Sequence, residues 1–166
     1  RLLEIVRKHA DEGAERVAVS RRTRSEAEIA HNVQQRLLPR PTRKLQTATY
    51  SALCCPAGDV GGDYYDFIDT GDRRIRIALA DIAGKGVAAA LIMSVVQASL
   101  RIICSENGIT LPQIAAKLNR YLHQSTGTSS YATFFYAQID EQTRQLRYVN
   151  AGHNPPYLLR NEQIQE

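Results

Sequence analysis

From residue 74 the chain alternates strictly: Arg74-Ile75-Arg76-Ile77-Ala78-Leu79. A period of two describes a half-buried strand and excludes a helix there. Immediately before it, Thr70-Gly71-Asp72-Arg73 carries turn residues, and Asp63–Asp69 reads as a second strand. The two make a hairpin. Its odd-numbered apolar residues Tyr65, Phe67, Ile75, Ile77 and Leu79 are expected to face the core, with Ile68 on the other side. Register follows from parity, because a slip of one residue would turn one strand's set outward. A three-residue loop of Gly71, Asp72 and Arg73 then places Asp63 opposite Asp81.

Directly opposed carboxylates on paired strands repel each other. Both lie at the open end of the hairpin, where Gly61-Gly62 meets one strand and Gly84-Lys85-Gly86 follows the other. A cation between them would remove the repulsion, and hard oxygen ligands favour Mg²⁺ or Mn²⁺. Two solvated aspartates at strand ends would also satisfy the sequence. On the residues alone both readings stand.

The remainder groups its helices and strands rather than alternating them. Residues 1–38 contain no proline and one glycine, with i,i+4 Glu-to-Lys/Arg pairs at Glu4/Lys8 and Glu12/Arg16. Ile29, Val33 and Leu37 form a narrow apolar stripe there, suited to a seam between two chains or to a helix lying on its own domain. Pro39 and Pro41 end that helix. Thr47–Leu53 reads as a strand and residues 87–105 as a long helix. Thr110 is expected to cap a further helix, with Pro112 in its first turn. Thr133–Ile139, Gln145–Asn150 and Pro156–Leu159 follow as strands. This order predicts an α+β fold with antiparallel pairing.

The net charge of +4 raises nucleic acid as a partner. The basic residues crowd into the first 44 positions without interleaved aromatics, so no nucleic-acid role is expected. Cys54, Cys55 and Cys104 give neither a disulfide framework nor zinc spacing, and suggest free thiols in a reducing, cytoplasmic setting. No membrane segment or signal peptide is expected. The start at Arg1 suggests a piece of a longer protein. Ala83-Gly84-Lys85-Gly86 is not a nucleotide P-loop, since Leu79 and Gly86 stand where that motif needs Gly and Ser/Thr. A helix N-terminus behind glycines can still favour an anion. His153 reads as a turn or packing residue, and no Gly-x-Ser-x-Gly elbow appears.

Five segments coincide in order and spacing: Gln35-Arg36-Leu37-Leu38-Pro39, Val60-Gly61-Gly62-Asp63-Tyr64-Tyr65-Asp66, Asp81-Ile82-Ala83-Gly84-Lys85-Gly86 with Ala88–Met93, Ala132–Tyr136, and Asn150-Ala151-Gly152-His153-Asn154-Pro155. Together, over about residues 28–160, they resemble the bacterial PPM-type serine/threonine phosphatases of the SpoIIE/RsbU kind.

The resemblance implies two packed antiparallel sheets flanked by helices (an α-β-β-α sandwich), here incomplete and preceded by a long N-terminal helix. It implies residues 1–40 as a helical linker for dimerisation and regulation, and 41–166 as the N-terminal portion of the phosphatase domain. It implies hydrolysis of phosphoserine or phosphothreonine by two Mn²⁺ or Mg²⁺ ions. Asp63 and Asp81 match the metal-bridging aspartates and the Ile82 carbonyl a further contact; Asp66, Gly84, Lys85 and Gly86 fall on the indirect or substrate side. The implied substrate is a phosphorylated STAS-type anti-sigma-factor antagonist. The family has more metal-binding aspartates in a later Asp-Gly motif, whereas Asp140 is the one aspartate after Asp81. The chain is therefore expected to hold about half of the ligand set and, alone, to bind metal weakly and show little activity. A non-catalytic dimerising or partner-binding relative is the alternative.

Overall fold

The computed structural model describes residues 2–39, 45–56, 58–71, 73–127 and 130–165. Nine elements follow in order: α1 (Leu2–Leu37), β1 (Tyr64–Asp69), β2 (Arg74–Ile82), α2 (Gly86–Cys104), α3 (Leu111–Ser125), β3 (Ala132–Asp140), β4 (Gln145–Ala151), β5 (Leu158–Arg160) and β6 (Gln163–Gln165). The strands β1-β2-β3-β4 make one antiparallel sheet in sequence order, and β5 pairs with β6 in a separate hairpin. The fold is α+β, as the grouping of elements required. Of two packed sheets, the described residues build this four-stranded one; β6 had no signal in the sequence reading.

Parity gave the β1–β2 register. Tyr64 lies opposite Ala80, Tyr65 opposite Leu79 and Phe67 opposite Ile77. The turn is closed by Gly71 at φ 74° and Arg73 at φ 59°, with the Arg74 N–H donating to the Gly71 carbonyl at 2.9 Å.

The expected core face needs correction. The larger core lies on the even-numbered face, where Tyr64, Ala78, Ala80, Ile82, Phe134 and Tyr136 pack against α2 and α3. Met93, Val96 and Leu100 of α2 and Ile114 of α3 are almost fully enclosed there. Burying each stabilises by about 1.5–3 kcal/mol relative to exposure. Small Ala78 and Ala80 let the helices approach. The odd face carries a smaller cluster of Leu45, Phe67 and Ile75, with Tyr50, Tyr65, Ile77 and Ile139 beside it. Leu79 on β2, and Leu146 and Tyr148 on β4, remain exposed on this second face.

Residues 47–53 are irregular rather than a strand. The buried Glu141 carboxylate accepts from the backbone N–H groups of Gln46 and Thr47 and from the Thr47 hydroxyl, taking donors a ladder would need.

The expectation of no membrane-length segment is also corrected in part: α2 has 19 residues and is long and apolar enough to cross a bilayer. Its place in the fold is a core helix, with Ala89, Met93, Val96, Leu100 and Ile103 buried. Arg101 and Gln97 bond to other elements from it. Thr110 begins α3, and its N–H and hydroxyl both donate to Gln113 Oε1, at 3.0 and 2.9 Å.

Candidate functional site

Asp81 is the penultimate residue of β2, and Asp63 stands one residue before β1 begins. The last β1–β2 pair is Tyr64 with Ala80, so both aspartates sit just past it at the open end of the hairpin. Both are exposed, and both line one cleft of about 260 Å³ with Cys54, Cys55, Tyr65, Leu79 and His153. On its other side Asp81 pairs with Thr133 of β3.

His153 belongs to this cleft, which the sequence reading missed. The Asn150 side chain holds its turn: Oδ1 accepts from the His153 N–H at 2.8 Å, and Nδ2 donates to the His153 carbonyl at 3.1 Å. Gly152, at φ 74°, supplies the bend. The imidazole Nδ1 and Thr133 Oγ1 share a hydrogen bond of 2.7 Å. The available signal was Asn-x-Gly at the end of a strand, a pattern for a side-chain-closed turn.

Gly62 fixes the loop before Asp63. A Cβ there would stand 2.7 Å from the Ile82 carbonyl oxygen and 3.2 Å from Ala89 Cβ. Ile82 is thus placed by two constraints: its side chain is fully enclosed in the core and its carbonyl meets Gly62. From α1, buried Gln34 reads the Gly61 backbone twice. Its Nε2 donates to the Gly61 carbonyl at 2.7 Å, and its Oε1 accepts from the Gly61 N–H at 3.1 Å. Three residues before Gln34 on α1, the His31 ring bonds the Asp59 carbonyl of the loop. Neither contact was anticipated, since each joins residues 27 or 28 positions apart.

Asp66 does not join the cleft. It lies on the helix-covered face, fully buried, with Arg101 Nε and Nη2 donating to it at 2.8 and 2.9 Å. The Tyr64 hydroxyl donates to it at 2.8 Å. Burial first, then the Asp66 charge, pushes the Tyr64 phenol far up, so it stays a donor. The hydrogen bond to Asp66 raises Arg101 further. Asp66 therefore anchors α2 to β1; the expectation that it stands beside the metal site is corrected, because a strand turns alternate residues to opposite faces. Gly84 and Lys85 are exposed in the turn into α2 and half-buried Gly86 begins that helix, all three outside the cleft lining. Gly84 and Gly86 take φ 107° and 70°.

Electrostatically the cleft is acidic. Burial and then the Asp63 charge push the Cys54 thiol up, so it remains protonated at neutral pH. Asp63, Asp81 and the Ile82 carbonyl are hard oxygen donors, suited in kind to Mg²⁺ or Mn²⁺. In number they fall short: among the described residues no three His, Cys, Asp or Glu side chains converge as a metal cage.

The sequence model of Stage II sporulation protein E (SpoIIE) matches residues 71–166. The phosphoserine phosphatase RsbU of Bacillus subtilis is 37% identical over 139 residues, covering 84% of this chain and 41% of that protein. The phosphoserine phosphatase RsbP of the same organism is 30% identical over 145 residues, covering 84% of this chain and 35% of that protein. The chain thus spans about two fifths or less of these relatives. Among solved structures, the SiaA-PP2C domain of Pseudomonas aeruginosa superposes with a TM-score of 0.68 at 23% identity, over 80% of this chain and 54% of that one, which concerns the fold alone. The RsbU and RsbW domains of a Mycobacterium tuberculosis protein superpose with a TM-score of 0.56 at 31% identity, over 63% of this chain and 29% of that one. With its sheet, its flanking helices and its matched motifs, the chain belongs to the SpoIIE family.

Proposed function

We propose that this chain is the N-terminal portion of a metal-dependent protein phosphatase domain acting on phosphoserine or phosphothreonine. One observation carries the reading: Asp63 and Asp81, eighteen positions apart, line the same cleft at the open end of one hairpin. Membership of a family whose relatives include phosphoserine phosphatases supports it. Asp63, Asp81 and the Ile82 carbonyl would hold Mn²⁺ or Mg²⁺, with further ligands from the rest of the domain. Bound there, such ions would supply an activated water and neutralise the phosphoryl oxygens. This chain's residues have separate tasks. Gln34 and Gly62 hold Asp63 in register with Asp81, and Thr133 and Asn150 orient the His153 imidazole at the cleft.

The proposed substrate is a phosphorylated partner of the STAS type in a cytoplasmic signalling pathway. A homodimer through α1 is part of the reading, supported by exposed Ile29 and Val33 on that helix. The alternative is a non-catalytic dimerising or partner-binding module. Dephosphorylation of a phosphoserine protein by the intact protein, with Mn²⁺ titrated, separates them. Asp81→Asn is expected to lower the rate by about 10²-fold or more, the scale of losing one transition-state electrostatic contact. An unchanged rate would remove Asp81 from the mechanism, and Mn²⁺-independent inactivity of the wild type would favour the binding module.

A further inference from the structure

At the turn end of the β1–β2 hairpin lies a second cleft, of about 560 Å³, between the strands and the end of α2. It is separated from Asp63 and Asp81 by the length of β1, roughly 20 Å for six residues at strand rise. Three arginines line it: Arg74 and Arg76 of β2, and Arg101 of α2. Ser105, Asn107 and Gly108 close it on the helix side.

Arg76 is the anomaly. It points from β2 to the helix-covered face, where its neighbours in the strand are Ala78, Ala80 and Ile82. Its Nε donates to Gln138 Oε1 at 3.0 Å and its Nη2 to the Ile109 carbonyl at 3.4 Å. The guanidinium lies beside the Cys104 thiol and the Tyr136 hydroxyl, which bond each other, and its enclosed Nη1 makes no hydrogen bond of its own among the described residues. Among the described residues no carboxylate pairs with it. The buried Asp66 would be the obvious counterion, but Arg101 occupies both of its oxygens. Two other carboxylates, Asp69 and Glu106, line the cleft. Asp69 accepts from the Gly71 N–H and Glu106 from Lys117 Nζ. A half-buried guanidinium with neutral acceptors alone is costly, and an anion in the cleft it lines would offset that charge. The planar fork of N–H groups matches an oxyanion with several acceptor oxygens.

We propose that this cleft is an oxyanion site that binds a phosphate-type group, with Arg76 as its main donor and Arg101 and Arg74 at its rim. The group is either free phosphate or the phosphate of a modified protein side chain. The inference is independent of the phosphatase reading, since it uses none of the residues of the aspartate cleft.

The test is a nuclear magnetic resonance titration of the 166-residue chain with inorganic phosphate. Ionic strength is held constant with chloride, and a chelator removes divalent cations from the aspartate cleft. Saturable shifts are expected at the amides of Thr70, Ser105 and Gly108. Shifts centred on Asp63 and Asp81, or a linear response spread over the surface, overturn the proposal without any variant. Arg76→Gln is expected to weaken binding at least tenfold, while Arg147→Gln, on β4 outside the cleft, leaves it unchanged. Equal loss in both variants, or none in either, also overturns it. A parallel titration with a phosphoserine peptide separates the sources. Tighter binding of the peptide identifies a modified protein as the ligand, and equal or weaker binding identifies free phosphate.

Discussion

At the scale of single residues, Gly62 and Asp66 carry opposite burdens within one short stretch. Gly62 is required by space, because any Cβ would press on the Ile82 carbonyl and on Ala89. Gly62→Ala is expected to destabilise by about 1–3 kcal/mol, the usual cost of overpacking, read from urea unfolding. On the proposed phosphatase reading, it should also reduce the rate of the intact protein beyond that loss, because Asp63 follows directly. Asp66 is required by charge. Asp66→Ala leaves Arg101 and the Tyr64 hydroxyl without their shared acceptor. The expected cost is about 2–4 kcal/mol by thermal unfolding; the arginine reaches water, which keeps it below the full cost of breaking a wholly buried pair. Neither the close approach at Gly62 nor the partner of Asp66 was legible in the sequence. Strand geometry turns residues 63 and 66 to opposite faces locally. Arg101 lies 35 residues away on a helix, and the choice of helix over that face is made by packing.

Among the elements, the hairpin was legible and the segment before it was not. Thr47–Leu53 has strand composition, yet its first donors go to the Glu141 carboxylate. Burial pushes Glu141 up, but the Thr47 and Gln46 N–H groups and then Arg73 outweigh that and hold it below its ordinary 4.5. A carboxyl whose folded value is depressed stabilises the fold above its unfolded value, and that contribution is lost as pH falls through the folded value. Melting temperature should therefore drop below about pH 4.5, and Glu141→Gln should flatten that part of the profile. A drop of equal size in the variant would assign the acid sensitivity elsewhere. The motif at 150–155 shows the same limit as the Thr47 segment. Its turn was readable, whereas its delivery of His153 to the aspartate cleft depended on β4 lying beside β3.

For the molecule as a whole, the central fact is a sheet with two apolar faces. Alternating arginines and isoleucines in β2 suggested one inner and one outer side. In the structure the arginine side is the better covered, and Leu79, Leu146 and Tyr148 stay exposed on the other. Exposed apolar surface of this kind marks a face awaiting a partner. The 166-residue chain is expected to bind a hydrophobic dye and to associate with rising concentration, followed by sedimentation. Leu146→Ser with Tyr148→Ser should reduce both with little change in stability, since neither residue is enclosed. Unchanged dye binding would place the open surface elsewhere.

The long first helix has a mechanical consequence. At 36 residues α1 extends about 54 Å, and among the described residues its hydrogen bonds to the domain come from His31, Gln34 and Leu37, near one end. It is a lever with a short load arm and a long effort arm. A swing of about 10° about Gln34 carries the far end through roughly 8 Å at that helical rise, while the Gly61 backbone moves by a fraction of an ångström. Run in reverse, a large displacement of the far end would become a small one at the loop leading into Asp63. Two hydrogen bonds from a single glutamine are the point where that gearing engages.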